Sequence, residues 1–459
     1  MYEIDFKKPI HVYFIGIGGI SMSGLAEVLL DSGFTVSGSD SKQSTLTDDL
    51  ILKGAVVHYG HKAENINSDL DLIVYTAAIK ADNPEFVAAN AQHIPVLSRA
   101  ELLGQIMKKY KTPIAVSGTH GKTTTTSMIS EILLRADLDP TLSIGGILKS
   151  INGNFRIGKS DYFVTEACEY TNSFLKFFPK IAIILNVEED HMDFFHDISE
   201  IRDSFHQFAG LLPADGTLII NRDIPEYETI IKDLPCSIIT FGKTEDADYI
   251  CQDISYSESG HASFVVIRKH KESLPVRLSV PGEHNVLNAL AAIALAECLS
   301  ISTESYQGAL AQFKGSDRRF EFKGKVGGVT IIDDYAHHPT EIRATLQAAS
   351  NYPHNTLWCV FQPHTYTRTN AFLQDFSDAL CQADKIILSD IYAAREVNTI
   401  GITSRDLQKL LLEAGKECYY FSTFDEIENF LLEHCINGDL LITMGAGDIV
   451  KIGENLLGQ

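Results

Sequence analysis

The segment Gly118-Thr119-His120-Gly121-Lys122-Thr123-Thr124 follows the apolar run Ile114-Ala115-Val116-Ser117 and precedes a helical stretch reaching about Ala136. A strand, a glycine-rich turn and a helix, in that order, aim backbone N–H groups and a helix N-terminus at phosphate oxygens. Lys122 is then spaced to reach the terminal phosphates of a nucleoside triphosphate, and the Thr123 hydroxyl to ligate Mg²⁺. The common form of this loop carries another glycine five residues before Gly121, where this chain has Val116. A chance strand-to-helix turn is the alternative, yet the threonine run from Thr123 to Thr126 is a poor helix start on propensity alone. The expectation is an ATP site.

Other groups able to do chemistry sit where strands should end. Gly16-Ile17-Gly18-Gly19-Ile20-Ser21 nearly fits a dinucleotide turn, with Ser21 in place of the third glycine and with Ser39-Asp40 closing the next strand. NAD, another diphosphate and plain turn geometry are all compatible with it. Glu166 and His191 follow two further strands. Glu166 has the hard oxygen suited to Mg²⁺, His191 suits softer metals, and either residue alone is compatible with a solvated loop position. Asn285 and Asn288 open an alanine-rich helix, where the plain reading is a satisfied polar pair. Arg319, in Asp317-Arg318-Arg319-Phe320, could meet a phosphoryl group or form surface pairs. The cluster Asp333-Asp334-Tyr335-Ala336-His337-His338-Pro339 ends a strand and begins a helix at Pro339, as His364 and Arg368 follow the next strand.

The elements that must hold these groups fall into three blocks. Each starts with a strand-like apolar run and alternates with helical patterns, which implies α/β architecture with parallel sheets. The first block runs over 1–110 and closes in a helix from Arg99 to Tyr110, with Lys111-Thr112-Pro113 as linker. The second covers 111–314, and its run Ile181-Ala182-Ile183-Ile184-Leu185 reads as a central parallel strand; the third covers 315–459. At 459 residues, with 45% hydrophobic and 21% charged side chains, the chain supports several packed cores. No apolar run reaches the roughly 20 residues that a membrane span requires. The N-terminus lacks a secretory pattern, so the cytoplasm is the expected location. A net charge of −22 argues against a nucleic-acid partner, and eight scattered cysteines without a CxxC pair argue against zinc or a disulfide framework.

Taken in order, GIGGISMSG at 16–24, SGSD at 37–40, GTHGKTTTT at 118–126, EACEY at 166–170, HNVLN at 284–288, RRF at 318–320, DDYAHHPTE at 333–341 and QPHTYTRT at 362–369 resemble the Mur ligases of peptidoglycan synthesis. The resemblance runs from about Ile10 to Val450. It implies an N-terminal Rossmann-like domain for a UDP-sugar, a central P-loop ATPase-type domain and a C-terminal Rossmann-like domain. The GIGGISMSG form and the length are similar to the members that join L-alanine to UDP-N-acetylmuramate. The rival within the family reattaches a recycled tripeptide.

On that resemblance Gly118, Thr119, His120, Gly121, Lys122, Thr123, Thr124, Asn285, Asn288, Arg319 and Asp334 bind ATP, with Asp334 on the ribose. Thr123, Glu166 and His191 hold Mg²⁺, and Gly16, Gly18, Gly19, Ser21, Ser39 and Asp40 hold the UDP-sugar. His337 and Arg368 take the amino acid, and Lys122, Arg319 and His337 stand at the chemistry. Expected partners are ATP, UDP-N-acetylmuramate and L-alanine, without nucleic acid or membrane insertion, in a monomer or weak homodimer. Three residues depart from the family pattern: Thr365 for a common arginine, Asp317 for a glycine, and Cys168 for an aspartate.

Overall fold

A computed structural model describes residues 2–76, 79–257, 260–269, 271–394 and 396–459. Three sheets form three domains along the chain. The first is a five-stranded parallel sheet with His11–Ile15 at its centre, flanked by Thr35–Asp40 and Leu72–Tyr75, with Val56–Tyr59 and Val96–Ser98 at the edges. Its helix Ile20–Asp31 starts directly after the glycine turn.

The central sheet has ten strands. Its middle is parallel: Tyr162–Glu166, Thr112–Ser117, Ile181–Ile184, Thr217–Asn221 and Ser237–Gly242 lie side by side. Ile181–Ile184 is buried on both faces, as its unbroken apolar sequence requires. One edge is extended by Tyr249–Tyr256, parallel to Ser237–Gly242, and then by His261–Arg268 and Leu274–Pro281, each antiparallel to the strand before it; the other carries a hairpin of Thr141–Leu148 with Gly153–Arg156. The expected linker Lys111-Thr112-Pro113 is not one: Thr112 and Pro113 already pair with Tyr162 and Phe163. Pro113 is tolerated at this strand entry, where its carbonyl accepts from Lys180 N.

The C-terminal sheet has six strands, ordered Glu321–Val326, Val329–Asp334, Leu440–Met444, Leu357–Phe361, Lys385–Leu388 and Glu417–Tyr420. Only the first is antiparallel to its neighbour. Pro339 sits at the first turn of the helix Pro339–Ser350, where its missing N–H costs nothing, and the ring of His338 caps that helix. The helix expected over Arg99 to Tyr110 ends at Met107 and begins with a capping box between Ser98 and Glu101.

Close approach between domains explains one glycine. A Cβ on Gly24 would stand 2.4 Å from the Phe155 ring, so the first helix lies flush against the edge hairpin of the central domain only because residue 24 has no side chain. No helix among the described residues is long and apolar enough to cross a membrane.

Candidate functional site

The phosphate loop leaves the strand Thr112–Ser117 and enters the helix Lys122–Arg135. Gly121 is in the left-handed region at φ +82°, and a Cβ there would meet Asn288 Oδ1 at 2.6 Å, so both conformation and space exclude a side chain. Asn186 clamps the turn: its carboxamide accepts from His120 N at 2.7 Å and donates to His120 O at 3.1 Å. Lys122 Nζ folds back on the carbonyls of Gly118 and Thr119 and lies 3.1 Å from Glu169 Oε2. Burial opposes its charge, but Glu169 more than compensates and raises the amine's pKa.

Glu166 closes one of the two strands that flank the loop strand and His191 follows the other, at the carboxyl ends where open α/β sheets bind ligands. Thr123 Oγ1 donates to Glu166 Oε2 at 3.1 Å. Burial raises the Glu166 pKa and lowers that of His191, whose ring stacks on Tyr170 at 4.5 Å. The Thr123 hydroxyl and the Glu166 carboxylate are hard oxygen donors of the kind that Mg²⁺ takes, whereas the His191 imidazole suits softer metals.

The C-terminal domain faces this loop. A cavity of about 330 Å³ between the two domains is lined by His120, Gly121, Asn285, Asn288, Arg319 and Asp334, among others. Asn288 Nδ2 donates to Asn285 Oδ1 at 3.1 Å, and Asn285 Nδ2 to Pro281 O at 2.7 Å. Asp334 accepts from Phe320 N at 2.8 Å and Ala336 N at 2.7 Å, and burial pushes its carboxyl up to about 6. Arg319 lies over the Tyr335 ring, its guanidinium 5.0 Å from the centroid.

His337 Nδ1 donates to Tyr335 O at 3.0 Å, which leaves Nε2 with its lone pair. Burial lowers this imidazole to about 3, so it is neutral at ordinary pH. Arg368 donates from Nη2 to Asp190 Oδ1 at 2.9 Å and from Nε at 3.2 Å, and its Nη1 lies 3.2 Å from His364 Nδ1. Burial works against the Asp190 charge, but Arg368 holds that carboxyl well below its usual range. One interdomain surface thus carries the glycine-rich loop on one side and a neutral imidazole with a buried guanidinium on the other.

Three family models match in succession: "Mur ligase family, catalytic domain" over residues 11–111, "Mur ligase middle domain" over 116–296, and "Mur ligase, glutamate ligase domain" over 318–447. The UDP-N-acetylmuramate--L-alanine ligase of Agathobacter rectalis is 61% identical over 457 residues, covering 100% of both chains. The chain belongs to the Mur ligase family. Among solved structures, a UDP-N-acetylmuramate-alanine ligase from Thermotoga maritima aligns at TM-score 0.82 and 30% identity over 98% of each chain. A murein peptide ligase from Psychrobacter arcticus aligns at 0.73 and 26%, also over 98% of each chain.

In this Mur ligase the residues expected to bind the UDP-sugar do converge on the N-terminal turn, though several are already engaged. Ser39 O accepts from Gly16 N at 2.8 Å and Ile17 N at 2.9 Å, while its hydroxyl donates inward to Glu85. Asp40 Oδ2 accepts from Gly18 N at 2.9 Å and its other oxygen from Ser41 N, so this carboxylate holds the turn together. Gly19 caps the helix without a side-chain bond, leaving helix-start N–H groups for a diphosphate.

Several residues are visible only in the fold. Arg99 donates to Ser21 Oγ at 3.0 Å and brings a largely buried cation to the turn. Glu85, fully buried, collects the Tyr13 hydroxyl, Ser39, His61 and Asn65 beneath it. Glu169, Asp190 and Glu341 pair with Lys122, Arg368 and His120. Glu169 and Glu341 lie inside motifs noted from sequence and Asp190 adjoins His191, but nothing in their spacing names a partner as far away as Asp190 is from Arg368. Arg318 pins the segment between domains by donating to Asp333 Oδ2 at 3.0 Å and to the carbonyls of Gly445 and Gly447. Cys168, one of eight free cysteines, is pushed up to about 11 by burial and the neighbouring Glu169, which makes it a poor nucleophile.

Proposed function

We propose that this chain is an ATP-dependent ligase joining L-alanine to the carboxylate of UDP-N-acetylmuramate through an acyl phosphate, in peptidoglycan precursor synthesis. The observation that carries the reading is the single surface on which the Lys122 loop faces His337 and Arg368. Relatives named for this reaction, matched end to end, support it. The division of labour is 1–110 for the UDP-sugar, 111–314 for ATP and 315–459 for the amino acid and the far side of the nucleotide. The location proposed is the cytoplasm, and the assembly a monomer or weak homodimer.

A carboxylate is inert to amines because it would have to expel oxide. Transfer of the ATP γ-phosphoryl group to one carboxylate oxygen gives an acyl phosphate and ADP. The alanine nitrogen then attacks the acyl carbon, and the tetrahedral adduct expels phosphate with that oxygen. Lys122 must leave the Gly118 and Thr119 carbonyls and turn to the phosphates, with Arg319 opposite; both offset charge as the phosphoryl group moves. Thr123, Glu166 and His191 would hold Mg²⁺, which supplies charge neutralisation at the phosphate oxygens. Arg368 binds the amino acid's carboxylate, sharing it with or releasing Asp190. His337 Nε2, which keeps its lone pair, accepts a hydrogen bond from the amino group of alanine and aims it at the acyl carbon, and the departing phosphate takes the proton that the nitrogen sheds. Closure of the C-terminal domain onto the loop would keep water from the acyl phosphate.

Phosphate release with ATP and UDP-N-acetylmuramate tests the reading, scanning single amino acids against the recycled tripeptide. L-alanine should drive turnover and the tripeptide should not; the reverse preference would overturn the assignment.

A further inference from the structure

His120 does more than its place in the phosphate loop requires. Its backbone is fixed on both sides by Asn186, at 2.7 and 3.1 Å, so the ring has one direction to point. It points across the domain boundary. Nδ1 lies 3.2 Å from Glu341 Oε1 of the C-terminal domain, and Nε2 lies 3.6 Å from Glu188 Oε2 of its own domain. The ring is 12% exposed. The other oxygen of Glu341 accepts from His337 N at 3.1 Å and sits 3.3 Å from His337 Nδ1. One carboxylate therefore links the phosphate loop to His337.

We infer that His120 is a positioning residue whose imidazolium, held between Glu188 and Glu341, locks the phosphate loop to the helix start carrying His337, so that domain docking and alignment of both substrates happen together. This rests on the proposed function, since it gives the interface a task in that reaction. Two further bonds share the surface: Thr340 Oγ1 donates to Glu188 Oε2 at 2.7 Å, and His338 Nε2 donates to Glu189 O at 3.1 Å. Without a positive ring between them, Glu188 and Glu341 would place two carboxylates from opposite domains against one neutral group.

Burial opposes protonation of His120, yet the two carboxylates overcome it and push the imidazole up to about 9. The other charged or titratable groups facing it do not replace it. His338 packs its ring at 4.6 Å but is neutral through burial; His284, at the start of the helix Glu283–Cys298, opens onto the cavity and is lowered rather than raised; Arg319 offsets Glu341 from the cavity side. The ligand atoms of His120, Glu188 and His338 lie within 4.8 Å of one another, close enough for a metal. The His338 ring argues against one: Nδ1 accepts from Thr340 N and Nε2 is spent on Glu189 O, so neither nitrogen has a lone pair to give.

The sign of the pH effect follows. The docked pKa exceeds the ordinary value of 6.5, so docking gains full support below about 6.5 and loses it as pH rises through about 9. The test compares the intact protein with His120→Asn, Glu341→Gln and the double variant, in kcat for phosphate release from pH 6 to 10 and in small-angle scattering with a non-hydrolysable ATP analogue. Wild-type kcat should fall about tenfold per pH unit above 9. His120→Asn should be at least tenfold slower at pH 7 and flat across that limb, and the double variant should lie within threefold of the slower single one. The analogue should compact wild type at pH 7 but not at pH 10, and His120→Asn at neither. A wild-type alkaline limb retained in His120→Asn, or single effects that multiply, would overturn the inference. If wild type releases no phosphate with its substrates, the proposed function fails while the scattering still reports on the lock.

Discussion

Removing the guanidinium of Arg368 separates substrate recognition from architecture. In this structure that group is 10% exposed and is paired with Asp190, itself 8% exposed. Arg368→Ala therefore has two effects. It strands a buried carboxylate, which costs about 3–5 kcal/mol when one partner of a buried pair is deleted. It also removes the cation proposed for the alanine carboxylate, and truncating one side of a buried charged contact costs about 2–5 kcal/mol. Alanine must share Arg368 with Asp190 or displace it, so the net gain on binding lies at the lower end. At about 1.4 kcal/mol per decade, 2 kcal/mol is roughly a 30-fold rise in KM for alanine. The assay is phosphate release titrated separately in alanine, ATP and UDP-N-acetylmuramate, alongside thermal unfolding. KM for ATP should stay within threefold, and adding Asp190→Asn should recover much of the lost melting temperature but not the affinity for alanine. An unchanged KM for alanine with a selective loss of ATP affinity would refute the role given to Arg368.

Three other outcomes follow from the same geometry. Lys122→Ala should abolish phosphate release, measured with saturating substrates; near-normal turnover would remove the loop from the chemistry. Gly121→Ala places a Cβ at φ +82° and 2.6 Å from Asn288 Oδ1, a strain of about 1–3 kcal/mol. It should raise KM for ATP about tenfold or more, and an unaffected variant would show that the loop relaxes freely. His337 and His364 are held neutral by burial, at about 3 and 4. The unfolded chain therefore takes up protons first as pH falls below about 6.5, so unfolding midpoints in urea should decline from pH 6.5 toward 4, and rising midpoints there would contradict the burial of these rings.

Much of the scaffold could be read from local pattern. The apolar run at Ile181, the strand at Leu357–Phe361 and the helix begun by Pro339 depend on neighbours in sequence, and they stand where periodicity and capping put them. The phosphate loop was legible for the same reason, since its glycines and lysine act within a few residues of one another. Pro113 misled because a proline near a domain boundary looks like a linker, whereas a parallel strand tolerates it at its entry. What stayed hidden was pairing at long range. Asp190 meets Arg368 and Glu341 meets His120 only once two separately folded domains dock, and no periodicity records that contact. Ser39 and Asp40 were legible as members of the turn, but the inward direction of the Ser39 hydroxyl depends on Glu85, buried on a different helix.

The central claim is that phosphate leaves carrying an oxygen from the sugar-linked carboxylate. UDP-N-acetylmuramate labelled with ¹⁸O in that carboxylate, incubated with ATP, Mg²⁺, L-alanine and the protein, tests it directly by mass spectrometry of the released phosphate. One ¹⁸O atom should appear in each phosphate, with the other retained in the new amide. Amide formation accompanied by unlabelled phosphate would contradict the acyl phosphate and the roles given to Lys122, Arg319 and His337.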